Sequence, residues 1–144
     1  MTLVRQEARK LAEAKHLDLI LTDGPPGVGC PVIASIGGAS AVLIVTEPTV
    51  SGKHDMERVA QLAAHFKIPA LVCVNKYDLN LELTRKIEKY AEEKEIACLG
   101  RIPFDPIFTK AMIQAQTVFE YDGQSNVGAA IRGIWQRLSE KLEQ

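Results

Sequence analysis

The chain is 144 residues long, 47% hydrophobic and 24% charged, with 17 basic residues against 18 acidic ones and a net charge of −1. These totals describe a single globular domain over 1–144, and the balanced charge excludes the basic field that would hold nucleic acid or an anionic membrane surface. No apolar run reaches the ~18 residues of a membrane-spanning helix, and the opening Met1-Thr2-Leu3-Val4-Arg5-Gln6-Glu7 does not form a signal peptide. Cys30, Cys73 and Cys98 are odd in number, far apart and without ligand spacing. They read as reduced thiols of a cytoplasmic protein, not as a disulfide frame or a zinc or iron–sulfur ligand set.

In chain order, Leu3–His16 has helical apolar spacing and precedes an apolar run, Asp18–Thr22, expected to be the first strand. The runs Ala41–Thr46, Ala70–Asn75 and Ala97–Arg101 follow as strands two to four. Each is rich in Val, Ile or Leu without polar alternation, the pattern of a strand covered on both faces. Helices are expected over Ser51–Phe66, with Val59, Leu62, Ala63 and Phe66 inward, and over Leu81–Glu95, with Leu83, Ile87, Tyr90 and Ala91 inward. A last helix, Val127–Leu142, places Ile131, Ile134, Trp135 and Leu138 on one apolar face. Strands alternating with helices predict a three-layer α/β fold, a mostly parallel sheet with helices on both faces.

Ligands of open parallel sheets bind at the carboxyl ends of the strands. Here those ends read Asp23-Gly24-Pro25-Pro26-Gly27, Glu47-Pro48-Thr49-Val50-Ser51-Gly52-Lys53, Asn75-Lys76-Tyr77-Asp78 and Pro103-Phe104-Asp105-Pro106. Gly, Pro, Asp and Asn also make ordinary turns, so any one end has a purely structural alternative. For Asp23 that alternative is a turn or helix cap. For Asn75 and Asp78 it is capping of the Leu81 helix or an Asx-turn. Ser51 reads as a helix N-cap, Lys53 as solvated or interface-facing, His54 and His65 as surface residues, Cys30 as a small packing residue at a helix start, and Trp135 as core.

The four ends together carry a resemblance. Leu19-Ile20-Leu21-Thr22-Asp23-Gly24-Pro25-Pro26-Gly27 is similar to the Walker B strand and switch loop of the MinD/ParA/Mrp-like P-loop ATPases, the group that includes the CobQ/CobB nucleotide-binding domains. "VLIVTEPTVSGKHDMERV", "CVNKYD" and "GRIPFDP" continue the likeness in the same order over nearly the whole chain, nearest to MinD-superfamily ATPases with an inserted ferredoxin domain. The resemblance implies that Asp23 holds Mg²⁺ through a water, as hard cations prefer carboxylate oxygen. It implies that Gly24 and Gly27 let the loop move, with Pro25 and Pro26 restricting it. It also implies that Asn75 contacts adenine, framed by Ile102-Pro103-Phe104-Asp105. Asn75-Lys76-Tyr77-Asp78 alone spells the guanine-reading NKxD of GTPases, with Asp78 as acceptor, but no SAK-type loop follows.

No GxxxxGK[ST] string occurs in the 144 residues. The resemblance places that Walker A segment upstream, with its strand between the Walker B strand and the next. Three functions follow from the sequence: the Mg-ATP-binding C-terminal portion of such an ATPase, with iron–sulfur or cobyrinate-related work and no hydrolysis by itself; a non-catalytic α/β dimerisation module; or a GTPase-like domain. The strand order leads to a further expectation. Either Asp18–Thr22 pairs directly with Ala41–Thr46, or another chain fills the gap, by self-association or as a partner supplying the Walker A segment.

Overall fold

A computed structural model describes residues 2–27 and 29–143. Its elements run α1 (Thr2–Lys15), α2 (Cys30–Ile36), β1 (Val42–Thr46), α3 (Val50–His65), β2 (Ala70–Asn75), a 3₁₀ turn (Tyr77–Leu79), α4 (Leu81–Glu93), β3 (Ala97–Ile102), α5 (Ile107–Ile113), α6 (Val118–Asp122) and α7 (Asn126–Leu142). The three strands form one parallel sheet in the order β1-β2-β3. Helices cover both faces, as the strand–helix alternation predicts.

The continuous apolar runs explain the layering. Alternate residues of β2 face opposite ways, so Val72 and Val74 join Ile44, Met56, Ala60 and Ile87 beneath α3 and α4. Leu71 and Cys73 join Leu99, Ile134 and Leu138 beneath α7. Val72 and Val74 are fully shielded, as expected for the middle strand. Ile107, Val118 and Val127 close a smaller cluster among α5, α6 and α7.

The helix ends follow sequence chemistry, with two changes of residue. Thr49, not Ser51, caps α3, accepting from the Gly52 amide at 2.9 Å. Asn80, not Asn75 or Asp78, caps α4, accepting from the Leu83 amide at 3.0 Å. The expected inward faces shift by part of a turn. Met56, Ala60 and Ala63 are the buried residues of α3, whereas Phe66 is exposed. On α7, Ile134 and Leu138 are buried but Trp135 is 47% exposed and is not core.

The main departure lies at the first expected strand. Asp18–Thr22 forms no strand and, among the described residues, pairs with none. It is an irregular exposed segment, with Leu19, Ile20 and Leu21 all open to solvent. A strand exists through the ladder it shares with a neighbour, and here the neighbour is too distant. Between residues 17–27 and β1 lies a cavity of about 1830 Å³, bounded also by α1, α2, the start of α3 and the Trp135 side of α7. Direct pairing of Asp18–Thr22 with Ala41–Thr46, one of the two arrangements expected from sequence, is therefore not adopted.

The N-terminal helices stand apart from the sheet. Neither α1 nor α2 packs extensively on any strand. They are tied to each other by the Arg5 guanidinium, which donates to the carbonyls of Ser35 and Gly37 at the end of α2. That contact satisfies carbonyls a helix C-terminus otherwise leaves without partners.

Candidate functional site

The carboxyl ends of β1, β2 and β3 lie along one side of the sheet, because all three strands are parallel. The loop after β1 is shaped by one glycine. A Cβ on Gly52 would lie 2.4 Å from the Glu47 carbonyl oxygen and 2.9 Å from Thr49 Oγ1, so only glycine lets the first turn of α3 come back against the strand end. Thr46 Oγ1 donates to the Gly52 carbonyl at 2.9 Å and fastens the same turn. Lys53 pairs with Glu57 and lies 5.7 Å from the Tyr90 ring, so it is committed to the α3–α4 surface.

The loop after β2 is held from three directions. Lys76 adopts a left-handed backbone (φ 53°), uncommon for a residue with a side chain. Its ammonium reaches Glu47 at 2.6 Å and ties the β1 and β2 ends together. Arg101 grips Glu88 with two 2.6 Å bonds while lying 5.5 Å from the Tyr77 ring. The Glu88 hydrogen bonds push the Arg101 pKa upward, keeping the guanidinium charged. Asp78 Oδ1 accepts the Phe104 amide at 2.7 Å, joining the loops after β2 and β3. Asp105 accepts from the Ile107 amide at 2.8 Å and starts α5.

Within this frame one polar atom lacks a partner. Asn75 Oδ1 is buried without any hydrogen bond. A buried carbonyl oxygen left unbonded costs on the order of 1–3 kcal/mol, so the position calls for an external donor. Phe104, whose amide is held by Asp78, is about half exposed.

Two clusters of sequence-selected residues result. Asn75, Asp78, Pro103, Phe104 and Asp105 gather at the β2–β3 ends, joined by the Asp78–Phe104 bond. Asp23, Gly24, Pro25 and Gly27 line the cavity beside β1 together with Glu47, Thr49, Ser51 and Gly52. None of the first cluster lines that cavity. Glu47 bridges the two, facing the cavity while bonded to Lys76. Asp23 is exposed and no described side chain bonds it; among the described residues no three His, Cys, Asp or Glu side chains converge to hold a metal. His54, His65 and Cys30 are exposed, Cys30 opening α2 rather than packing. Sequence reasoning overlooked Thr49, Glu47 as a bridge, and Trp135 as a cavity wall. The αL backbone of Lys76, which aims Glu47's partner, leaves no mark in composition.

Comparison with known proteins places the fold that carries this geometry. Residues 3–139 match the family model of ParA, described as the NUBPL iron-transfer P-loop NTPase. The chain belongs to the ParA family of P-loop NTPases. This ParA-family chain is 30% identical over 130 residues to an uncharacterized protein of Methanocaldococcus jannaschii, covering 90% of the chain and 42% of that relative. It is 23% identical over 145 residues to the cytosolic Fe-S cluster assembly factor NUBP1 homolog of Caenorhabditis briggsae, covering 88% of the chain and 46% of the relative. The ParA-family chain thus spans less than half the length of these curated relatives. Among solved structures, the MinD cell division protein of Aquifex aeolicus superposes with a TM-score of 0.76 at 22% identity, over 94% of this chain and 58% of that one. MinD of Pyrococcus horikoshii, complexed with Mg-ADP, superposes with a TM-score of 0.69 at 20% identity, over 84% and 50%. These likenesses establish the MinD fold for the sheet and its helices.

Proposed function

We propose that this chain is the base-side and Mg²⁺-side portion of a ParA-type ATP site, acting in the cytoplasm, in iron–sulfur cluster handling of the kind named for its NUBP1-like relative. The carrying observation is the unpartnered Asn75 Oδ1. An adenine amino group is the donor it lacks, and the exposed Phe104 ring supplies a face on which a base stacks. Asp78 holds the Phe104 backbone in place, fixing the loop after β3 against the loop after β2. In the guanine alternative Asp78 would accept through Oδ2, since Oδ1 already takes the Phe104 amide. Asp23 suits the water-bridged role at Mg²⁺, since it is free to accept and its loop carries Gly24 and Gly27. Mg²⁺ would neutralise phosphate charge at that end. The Mg-ADP complex of the Pyrococcus relative supports the reading.

These residues hold a base and face a cation, yet they include no nest of backbone amides or lysine for the β- and γ-phosphates, on which phosphoryl transfer depends. Hydrolysis therefore falls outside what this set of residues does alone. Titration of the chain with Mg-ATP, Mg-ADP and Mg-GTP, followed through the Asn75 side-chain amide and the Phe104 backbone amide by NMR, tests the reading. Adenine nucleotides are expected to shift both signals with a Kd near ~1 mM, and Asn75→Ala to abolish the response. A preference for GTP, or silence with every nucleotide, refutes the base assignment. A micromolar Kd refutes the absence of a phosphate cradle.

A further inference from the structure

Away from the strand ends, the short helices α5 and α6 and the longer α7 enclose an apolar groove of about 450 Å³. Phe108 and Met112 of α5, Phe119 of α6 and Ile131 of α7 line it, with buried Ala111 and Val118 beneath. Phe108 and Met112 act together because residues four apart share one face of a helix. The groove is preformed. The Gln116 amide donates to the Ala111 carbonyl at 3.0 Å across the α5–α6 turn, and Thr117 and Glu120 close the capping box that starts α6. Apolar side chains also protrude beside it. Met112, on the rim, is 71% exposed, and Ile113, the next residue, is 79% exposed.

With the exposed parts of Phe108 and Phe119, these residues make an apolar patch of roughly 450 Å², the size of the largest patch a typical monomer carries and often a binding surface. The charges on the same three helices narrow the occupant. Lys110 and Arg132 are balanced by Glu120 and Asp122, two cations against two anions. Among the described residues neither cation forms an ion pair, and the Arg132 guanidinium lies 5.6 Å from the Phe119 ring. Glu120 and Asp122 each give one carboxylate oxygen to a backbone amide, of Thr117 and Gln124, which leaves the other oxygen free to accept. A uniformly acidic or basic partner would set like charge against half of these groups. A surface that carries knob and hole, cation and anion, complements itself, which is the condition for two-fold association. The net charge of −1 sets little repulsion between two copies.

We propose that the groove between α5, α6 and α7 is a two-fold docking surface for a second copy of this chain, with Met112 and Ile113 of each copy entering the groove of the other. This docking is independent of the nucleotide reading and of the cavity beside β1. Covering the patch on both copies removes roughly 900 Å² from water, below the ~1,200 Å² at which stable interfaces begin. The dimer is therefore weak and exchanging, with a Kd of about 100 μM.

The test is sedimentation velocity of the full 144-residue chain, without nucleotide, from about 10 μM to about 1 mM, with the Met112, Ile113 and Ile131 methyl resonances followed over the same range. A monomer–dimer equilibrium is expected, with concentration-dependent shifts at those three methyls. Met112→Glu carries a carboxylate into the partner's apolar groove, and Arg132→Glu leaves one cation against three anions. Each should weaken dimerisation about tenfold or more. Both side chains are exposed, so circular dichroism should remain that of the parent chain. Val45→Lys, beside the β1 cavity, should leave the dimer unchanged. Four results overturn the proposal. The chain stays monomeric to about 1 mM; the dimer survives both Met112→Glu and Arg132→Glu; Val45→Lys abolishes it; or a chain that stays monomeric binds anilinonaphthalene sulfonate saturably against Phe108 and Phe119, which gives the groove a different occupant.

Discussion

The two outer strands of this sheet are finished in opposite ways. On β3 the register slips between Val72↔Cys98 and Cys73↔Gly100, which leaves Leu99 as an extra residue without a β2 partner. Its carbonyl is taken by the Arg137 guanidinium from α7. Gly100 beside it has φ 146° and lies under Arg137 and Ile134. A bulge and a guanidinium bonded to the odd carbonyl both work against edge pairing. Among the described residues β1 has no bulge and no side chain bonded to its backbone, and it borders the open cavity. One outer strand is interrupted by a bulge and the other is regular along its length.

The strongest challenge to this contrast is the same substitution at two depths. Val72→Pro, on the shielded middle strand, should cost about 4 kcal/mol or more and prevent folding, while Val45→Pro should cost about 1 kcal/mol, both read by urea denaturation. Equal losses would mean that β1 is not a free edge. The bulged side is tested at Gly100. An alanine Cβ there would approach Arg137 Nη2 to 2.7 Å and Ile134 Cγ1 to 3.1 Å, in a backbone region that disfavours side chains. Gly100→Ala should destabilise by about 3 kcal/mol and promote concentration-dependent aggregation, measured by thermal melts and light scattering.

A smaller effect sharpens the comparison chemically. Burial, with the neighbouring Cys98 adding to it, pushes the Cys73 thiol from an ordinary value near 9 up to about 11. Burial also raises Cys98. The folded chain thus holds a proton that the unfolded chain releases above pH 9. Stability from this source is complete below pH 9 and falls as pH rises to 11, by about 2–3 kcal/mol. Cys73→Ala should flatten the decline. At pH 8 a thiol reagent should modify exposed Cys30 first and spare Cys73.

The sheet was legible because β2 is covered on both faces and carries that burial in its composition, whereas β3 is more open than its apolar run suggests, with Cys98 and Arg101 exposed and only Leu99 buried. Asp18–Thr22 was misread for an instructive reason. Its residues are suited to a buried strand, but a strand also needs a partner, and hydropathy records suitability without recording who pairs. Trp135 failed in the same way, since its helical spacing turns it toward the cavity beside β1 and not onto a strand. At the site, Asp78 and Asn75 were recognisable by type, but their division of labour was not. The bond from Phe104 to Asp78 joins residues 26 positions apart and follows from the fold alone. Thr49 and Ser51 offered the same capping chemistry two residues apart, and backbone geometry decided between them.

The arrangement of Arg5 has a kinetic consequence. β1, β2 and β3 are neighbours in sequence as well as in space, each reached from the last through one helix, α3 or α4. Such contacts close short loops and form early in folding. The α1–α2 pair contributes little to that nucleus, being fastened internally by Arg5 and only loosely to the strands. Folding should therefore proceed from residue 41 onward and dock the first forty residues last, and Arg5→Ala should speed unfolding of α1 while leaving the refolding rate of the sheet unchanged.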